Sequence, residues 1–344
     1  MSSIFVQPVL SVVIPCYNSQ QYMEKAISSV LDAGMGDCEV IIVDDGSQDR
    51  TAEIADGYAM QFPDRVRVIH QANKGHGGAV NAGIKVCRGV YVKILDSDDF
   101  LDAQGLQETM STLRNFICEH NLVDVVIGNY VYEKAGALRR KVMRYTSVIP
   151  RKKVVGWNDI KRFPIGKYLM MHSIIYRTEI LRDCRLELPE HTFYVDNLYV
   201  ALPLNHTYTL YYMDVDLYHY SIGREDQSVN EAVMIRRIDQ QLKVNKLLID
   251  YVCGMQAHSP RLEQYLYHHL EIVTAISSIL LIRSGDEGRR RKDEFWKYIK
   301  DHAPELYVRL YNRPLGFLVN LSGTPGKKIP LAIYKVARRL YKFN

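Results

Sequence analysis

The chain has 344 residues, 47% hydrophobic and 24% charged, a balance that excludes a disordered or fibrous protein. Its six cysteines (16, 38, 87, 118, 184 and 253) form no CxxC pair and no Cys/His cluster, which speaks against a zinc site or a disulfide frame and for reduced thiols. The net charge of +5 resides in residues 327–344, with six Lys/Arg and no acid, so the near-neutral body lacks the broad basic surface that nucleic-acid binding needs.

The length leaves room for two domains. No leader pattern opens the chain, and the longest low-polarity run, 272–282, is shorter than the roughly 20 residues that cross a bilayer. In chain order, "VLSVVIP" (9–15) reads as a buried strand and "CYNSQQ" as a polar turn. A helix comes next, with Tyr22, Met23, Ala26, Ile27, Val30 and Leu31 on one side. "CEVIIVDDGSQDRT" repeats the design: a strand through Val43, an acidic turn, and a helix near 52–60. "RVRVIH" (65–70) is a third strand, "QANKGHGG" a glycine-rich loop, and 79–86 a helix. "GVYVKIL" (89–95) is the fourth strand, with "DSDDFLD" at its carboxyl end. Strand–helix alternation of this kind predicts a mainly parallel sheet covered on both faces, whose ligands bind outside the carboxyl ends of the strands. The acidic, amide and glycine-rich loops therefore meet along one edge.

Further on, 124–133 and 138–146 read as a strand pair around Gly136, and 168–183 mixes strand and helix character. Residues 210–228 read as a strand and a polar loop. From Glu231 the chain reads as helical, broken by the charged linker "RSGDEGRRRKDE".

"VVIPCYN", "EVIIVDDGSQDRT", "NKGHGGAVNAG" and "GVYVKILDSDDF", in that order and spacing, resemble the family 2 glycosyltransferases over residues 9–230. That resemblance implies an inverting sugar-nucleotide enzyme with an α/β GT-A fold, Rossmann-like, in residues 1–230. Its donor half runs to about residue 130 and its acceptor half over 131–230, with a helical region over 231–344. It makes Asp98 the expected direct ligand of Mn2+ or Mg2+, puts Asp96 on the ribose or the metal shell, and Asp99 in support. The structural alternative for "DSDD" is a cap for the helix starting near Asp102.

By the same resemblance Asp44 accepts a hydrogen bond from the nucleotide base, while Asp45 and Ser47 shape the turn. Pro15, Tyr17 and Asn18 fall at nucleotide-contact positions, Tyr17 equally fitting a rim residue. Lys74, Gly77 and Asn81 face the donor, the glycines allowing close approach to a ligand ahead of a helix N-terminus. Many relatives carry an Arg before this Asn; Val80 stands there, which leaves Lys74 and His76 as substitute cations.

Asp196 in "YVDN" matches the family's general base, with Glu190 as fallback; an ordinary helix cap is the alternative. Arg224 is expected on phosphate oxygens. His219 is either a further metal ligand or a half-buried histidine of a Tyr-His-Tyr strand. The implied partners are a nucleotide-sugar donor and a glycan or lipid-linked acceptor.

In the basic tail, Ile333, Tyr334, Ala337, Leu340 and Tyr341 form an apolar stripe. The stripe suits either an anionic membrane surface or docking on the protein's own core. The expected location is cytoplasmic, peripheral at the inner membrane face. Two other readings remain beside the transferase: metal-dependent phosphohydrolase or nucleotidyltransferase chemistry, and a silent nucleotide-binding module tethered to a membrane.

Overall fold

The computed structural model describes residues 7–134, 140–224, 227–228, 230–321 and 332. The chain forms two compact units, Met1–Arg162 with Leu169–Ser221, and Phe163–Tyr168 with Ile222–Asn344. The tail stripe and the turn around Gly136 lie outside the described residues.

In the first unit, β1 (Leu10–Cys16), α1 (Met23–Leu31), β2 (Cys38–Asp44), α2 (Thr51–Gln61), β3 (Val66–His70), α3 (Gly75–Val86) and β4 (Tyr91–Ile94) alternate as the sequence predicts. Every residue of β1, β2 and β4 is buried, at roughly 1.5–3 kcal/mol for each large aliphatic side chain. On α1 the buried residues are Met23, Ala26, Ile27, Val30 and Leu31, the predicted stripe without Tyr22. Then come β5 (Phe100–Leu101), α4 (Ala103–Cys118), β6 (Val125–Lys134), β7 (Lys141–Met143), β8 (Val154–Val155), β9 (Ile174–Arg177), α5 (Thr178–Asp183), α6 (Asp196–Ala201) and β10 (Leu210–Ile222).

The sheet order is β3-β2-β1-β4-β9-β6-β10-β5, with β7 on β6 and β8 on β10. Pairing is parallel across β3, β2, β1 and β4 and antiparallel at β4–β9, β9–β6, β6–β7, β10–β5 and β10–β8. The parallel character therefore belongs to the first four strands, where helical crossovers connect successive strands. Strand order reverses at β1, which β2 flanks on one side and β4 on the other. Right-handed crossovers then put α1 and α2 on one face and α3 on the other. The crevice beyond the carboxyl ends of β1, β2 and β4 is the switch point where such sheets bind ligands.

Two segments differ from expectation. The glycine-rich stretch from Gly75 is the first turn of α3, not a loop. The charged linker is mostly helix, because only Ser284 separates the two helices and Gly285 (φ +87°) begins the second. Exposed Asp286–Arg289 and Glu287–Arg290 pairs one turn apart support the helix that starts there.

In the second unit, α7 (Glu231–Arg236), α8 (Ile238–Gly254), α9 (Pro260–Arg283), α10 (Gly285–His302), α11 (Pro304–Tyr311) and α12 (Pro314–Val319) pack around α9. Ser259 caps α9, and buried Asn245 and Gln241 of α8 hydrogen-bond Ser277 of α9 at 3.1 and 3.2 Å. The run 272–282 is part of this 24-residue helix, which is long and apolar enough to cross a membrane. With 83% of its most apolar window buried, it has the character of a core helix.

Asp214, in the left-handed region (φ 55°) within β10, gathers Asn129, Arg144, Arg151 and the Tyr212 hydroxyl at 2.8–3.2 Å. Burial alone would raise its pKa, but these donors outweigh it and bring it to about 2. The stabilisation is thus present above the ordinary value of 3.8 and lost as pH falls through about 2. Asp214→Asn, which tolerates the same backbone, should cost about 2 kcal/mol at pH 7. In urea titrations that cost should shrink toward pH 2; a pH-independent cost would show that the charge is not what stabilises.

Candidate active site

β4 ends at Ile94, and the next residues turn back through an Asp99 N–H to Asp96 carbonyl hydrogen bond of 3.0 Å. Asp99 is fully buried: the Ser221 N–H donates to its Oδ1 at 2.7 Å and the Tyr218 hydroxyl to its Oδ2 at 2.6 Å. Asp96 lies between two imidazoles. His76 Nε2 is 3.0 Å from its Oδ1, and His172 Nε2 is 3.6 Å from its Oδ2. Burial would raise Asp96, but the two histidines hold it well below the usual carboxylate range. Asp99 moves the other way, pushed well up by burial and by the charges of Asp98 and Asp96. The helix cap nearby is Asp102, whose carboxylate accepts the Gly105 N–H at 2.8 Å, so "DSDD" is not spent on capping.

Ligand atoms of Asp96, Asp99 and His172 all lie within 4.8 Å of one another. His172 is buried, stacked on Tyr220 (ring centroids 4.2 Å apart), and its Nδ1 has no hydrogen-bond partner. Among the described residues no Lys or Arg pairs with Asp96 or Asp99. Two carboxylates and one imidazole offered at this spacing fit a divalent cation such as Mn2+ or Mg2+. Asp98, the expected direct ligand, is half-buried in the same turn and stands outside this group, adding its field at Asp99 and His76. His219 pairs instead with Glu133 (2.7 Å) and stacks on Phe100.

Asp196 opens α6, whose N-cap is Val195, so its carboxylate does not cap the helix. Burial raises its pKa, against the lowering charges of His172 and His76. The start of α3 seats the segment that leads toward α6. Asn81 makes paired hydrogen bonds to the Leu188 backbone, its Nδ2 donating to the carbonyl at 2.9 Å and its Oδ1 accepting the N–H at 3.0 Å. The His191 N–H donates to the Lys74 carbonyl at 2.7 Å, and Lys74 Nζ pairs with Glu190 at 3.0 Å. A Cβ on Gly77 would meet the Pro189 oxygen at 2.6 Å. The close approach that these glycines allow is therefore to segment 188–191 of the chain itself.

On the other side, Asp44 ends β2 and is buried, accepting from the Ser47 N–H (3.1 Å) and facing His70 Nδ1 (3.0 Å). Those bonds outweigh burial and lower Asp44; in return Asp44 and Asp56 raise His70. Asp45 is buried and holds the β3–α3 connection through Gln71 and the Lys74 N–H. Pro15 is buried in β1, while Tyr17 beyond its end is 51% exposed. Asn18, at φ 49°, receives the Gln48 N–H at 2.9 Å and so joins the first two loops. Arg224 belongs to the second unit, its N–H donating to Gln227.

Sequence reasoning missed His172, Tyr218, His70 and Lys93. Lys93 alone left a signal, a lone charge inside a strand that is otherwise apolar; burial pulls its ammonium down to about 7.

A family model described as glycosyl transferase family 2 matches residues 11–183. The glycosyltransferase EpsJ of Bacillus subtilis (strain 168) is 40% identical over 119 residues, 35% of this chain and 33% of EpsJ. The chain thus spans about a third of that relative's length. TarS of S. aureus (residues 1–349), solved with UDP-GlcNAc, superimposes with a TM-score of 0.50 at 18% identity, over 86% of this chain and 91% of that one. The mannosyltransferase PcManGT from Pyrobaculum calidifontis, solved with GDP-Man and Mn2+, gives 0.55 at 15% identity, over 99% and 89%. At these identities the two structural likenesses are likenesses of fold, and that fold is GT-A.

Proposed function

The chain belongs to glycosyl transferase family 2, and we infer that it transfers a sugar, with inversion, from a nucleoside diphosphate sugar to a hydroxyl of a glycan or lipid-linked acceptor. One observation carries the reading: just beyond the carboxyl end of β4, ligand atoms of Asp96, Asp99 and His172 lie within 4.8 Å of one another, and Asp96 meets His76 at 3.0 Å. Asp44 takes an N–H of the base at the end of β2. UDP is the proposed nucleotide, a choice supported by the UDP-GlcNAc bound to the fold neighbour TarS.

Asp196 receives the proton of the acceptor hydroxyl as its oxygen bonds the anomeric carbon. The bond from that carbon to the diphosphate oxygen breaks, and its electron pair leaves with the nucleotide. Asp96, Asp99 and His172 would hold a divalent ion, which when bound would supply positive charge near the leaving diphosphate. His76 keeps Asp96 ionised and adds cationic field from the side where many relatives place an Arg.

The test is nucleotide release from a panel of UDP- and GDP-sugars, with Mn2+ and with EDTA. At least one donor should turn over with Mn2+ and stop with EDTA. No turnover and no thermal shift with any donor would end the reading; turnover undiminished by EDTA would remove the metal from it.

A further inference from the structure

Lys93 is a fully buried cation with no carboxylate partner among the described residues, and the transfer chemistry gives it no task. It lies on β4, the strand that delivers Asp96 and Asp99. The β4–β9 ladder runs as far as Val92↔Tyr176. Past that rung the Lys93 ammonium takes over as donor, to the carbonyls of Met171 (3.0 Å), His172 (2.7 Å) and Ile174 (3.2 Å). Three N–H groups meet three acceptors, so the charged form is fully satisfied.

The three carbonyls belong to the 3-10 turn Met171–Ser173 and the residue after it. The Met171 carbonyl also accepts the Ile174 N–H that closes the turn, so the Lys93 ammonium adds a second donor there. His172 is the middle residue of that turn. Its ring is held by Tyr220 stacked on one face and by the edge contact of Tyr218 (centroids 4.7 Å apart). The same Tyr218 ring lies 4.8 Å from Lys93 Nζ, and its hydroxyl donates to Asp99. One side chain thus grips the backbone of the imidazole and touches the ring that holds the carboxylate. A filler of space could have been Met or Leu at no cost in buried charge.

We propose that Lys93 is a positioning residue: it sets the Met171–Ser173 turn so that the His172 imidazole faces Asp96 and Asp99, and thereby tunes the cation affinity of that group. This rests on the reading of Asp96, Asp99 and His172 as cation ligands. Partners one step removed from the ligands typically change metal affinity 10- to 100-fold.

The experiment uses the full chain labelled with 13C at histidine Cε1, the His172 signal being the one lost in His172→Gln. In metal-free protein, Lys93→Met should shift or broaden that signal while most of the other ten of the 11 histidines stay in place. Mn2+ titration should show a dissociation constant 10- to 100-fold weaker than wild type. The double variant Lys93→Met/His172→Gln should bind Mn2+ no more weakly than His172→Gln alone. Lys93→Gln, which keeps two N–H donors, replaces Lys93→Met should the latter not fold. A lower melting temperature with an unmoved His172 signal, or additive losses in the double variant, would overturn the proposal. Wild-type protein that binds no Mn2+ while the metal-free His172 signal still responds to Lys93 would sink the metal reading and leave the positioning intact.

Discussion

Asp196→Asn should lower kcat by about 10²- to 10⁴-fold while the donor KM changes by no more than a few-fold. The amide fits the same space at the start of α6, where Val195 and not Asp196 is the N-cap, and it keeps an oxygen that can accept from Asn197. What it loses is the lone pair that takes the acceptor's proton. In the proposed mechanism Asp196 acts on the acceptor and not on the base or the diphosphate, so the loss belongs in kcat. The pKa of Asp196 is raised, chiefly by burial. Below that raised value the base carries a proton and is idle, so the acid limb of the wild-type profile should lie above the ordinary Asp range and vanish in the variant. Steady-state kinetics over donor, acceptor and pH decide it. A kcat near wild type would pass the role of base to Glu190, half exposed and paired with Lys74.

Asp99→Asn should separate metal binding from folding. Asp99 is buried beside two other carboxylates, and its pKa stands well above 3.8. A carboxyl with a raised folded pKa keeps its proton as pH rises through the ordinary Asp range, and the metal-free fold loses stability until it titrates. While Asp99 remains protonated, Asn resembles it closely, so metal-free stability should change by less than about 1 kcal/mol. With metal the two proteins part. At 100 times its Kd a ligand stabilises the wild type by about 2.7 kcal/mol, and most of that should be absent in Asp99→Asn. Since the carboxyl must lose its proton to bind, wild-type affinity should rise with pH. Thermal melts with EDTA and with Mn2+, together with calorimetry in buffers of different ionisation enthalpy, read both effects. Equal stabilisation of both proteins by Mn2+ would remove Asp99 from the ligand set.

How much of the fold and site was legible in the residues alone depended on the range of the contacts. β1, α1 and β2 are set by local periodicity, and their buried faces match the predicted ones because neighbouring residues decide them. The acidic turn was legible because it comes after a strand whose end lies at the sheet's edge. His172 was not: it comes after a run of apolar residues, and its ties to Asp96 and Lys93 span nearly 80 positions. "KGHGG" misled because glycines argue for a loop by propensity, and the helix that begins there is stabilised by its fit against segment 188–191. His219 has the composition of a metal ligand and the company of Glu133, which only the pairing of distant strands reveals.

The paired hydrogen bonds between Asn81 and Leu188 bear on how such enzymes can be recombined. An amide that both gives to and receives from a peptide unit does what an adjacent strand would do, and does it for any residue occupying that place. The loop that leads to Asp196 can therefore vary in side chains while keeping its seat against α3. A graft of residues 130–221 from one relative into another has a simple rule to satisfy. The incoming chain must offer an extended peptide at the place of Leu188, and no side chain may grow from Gly77 beneath it.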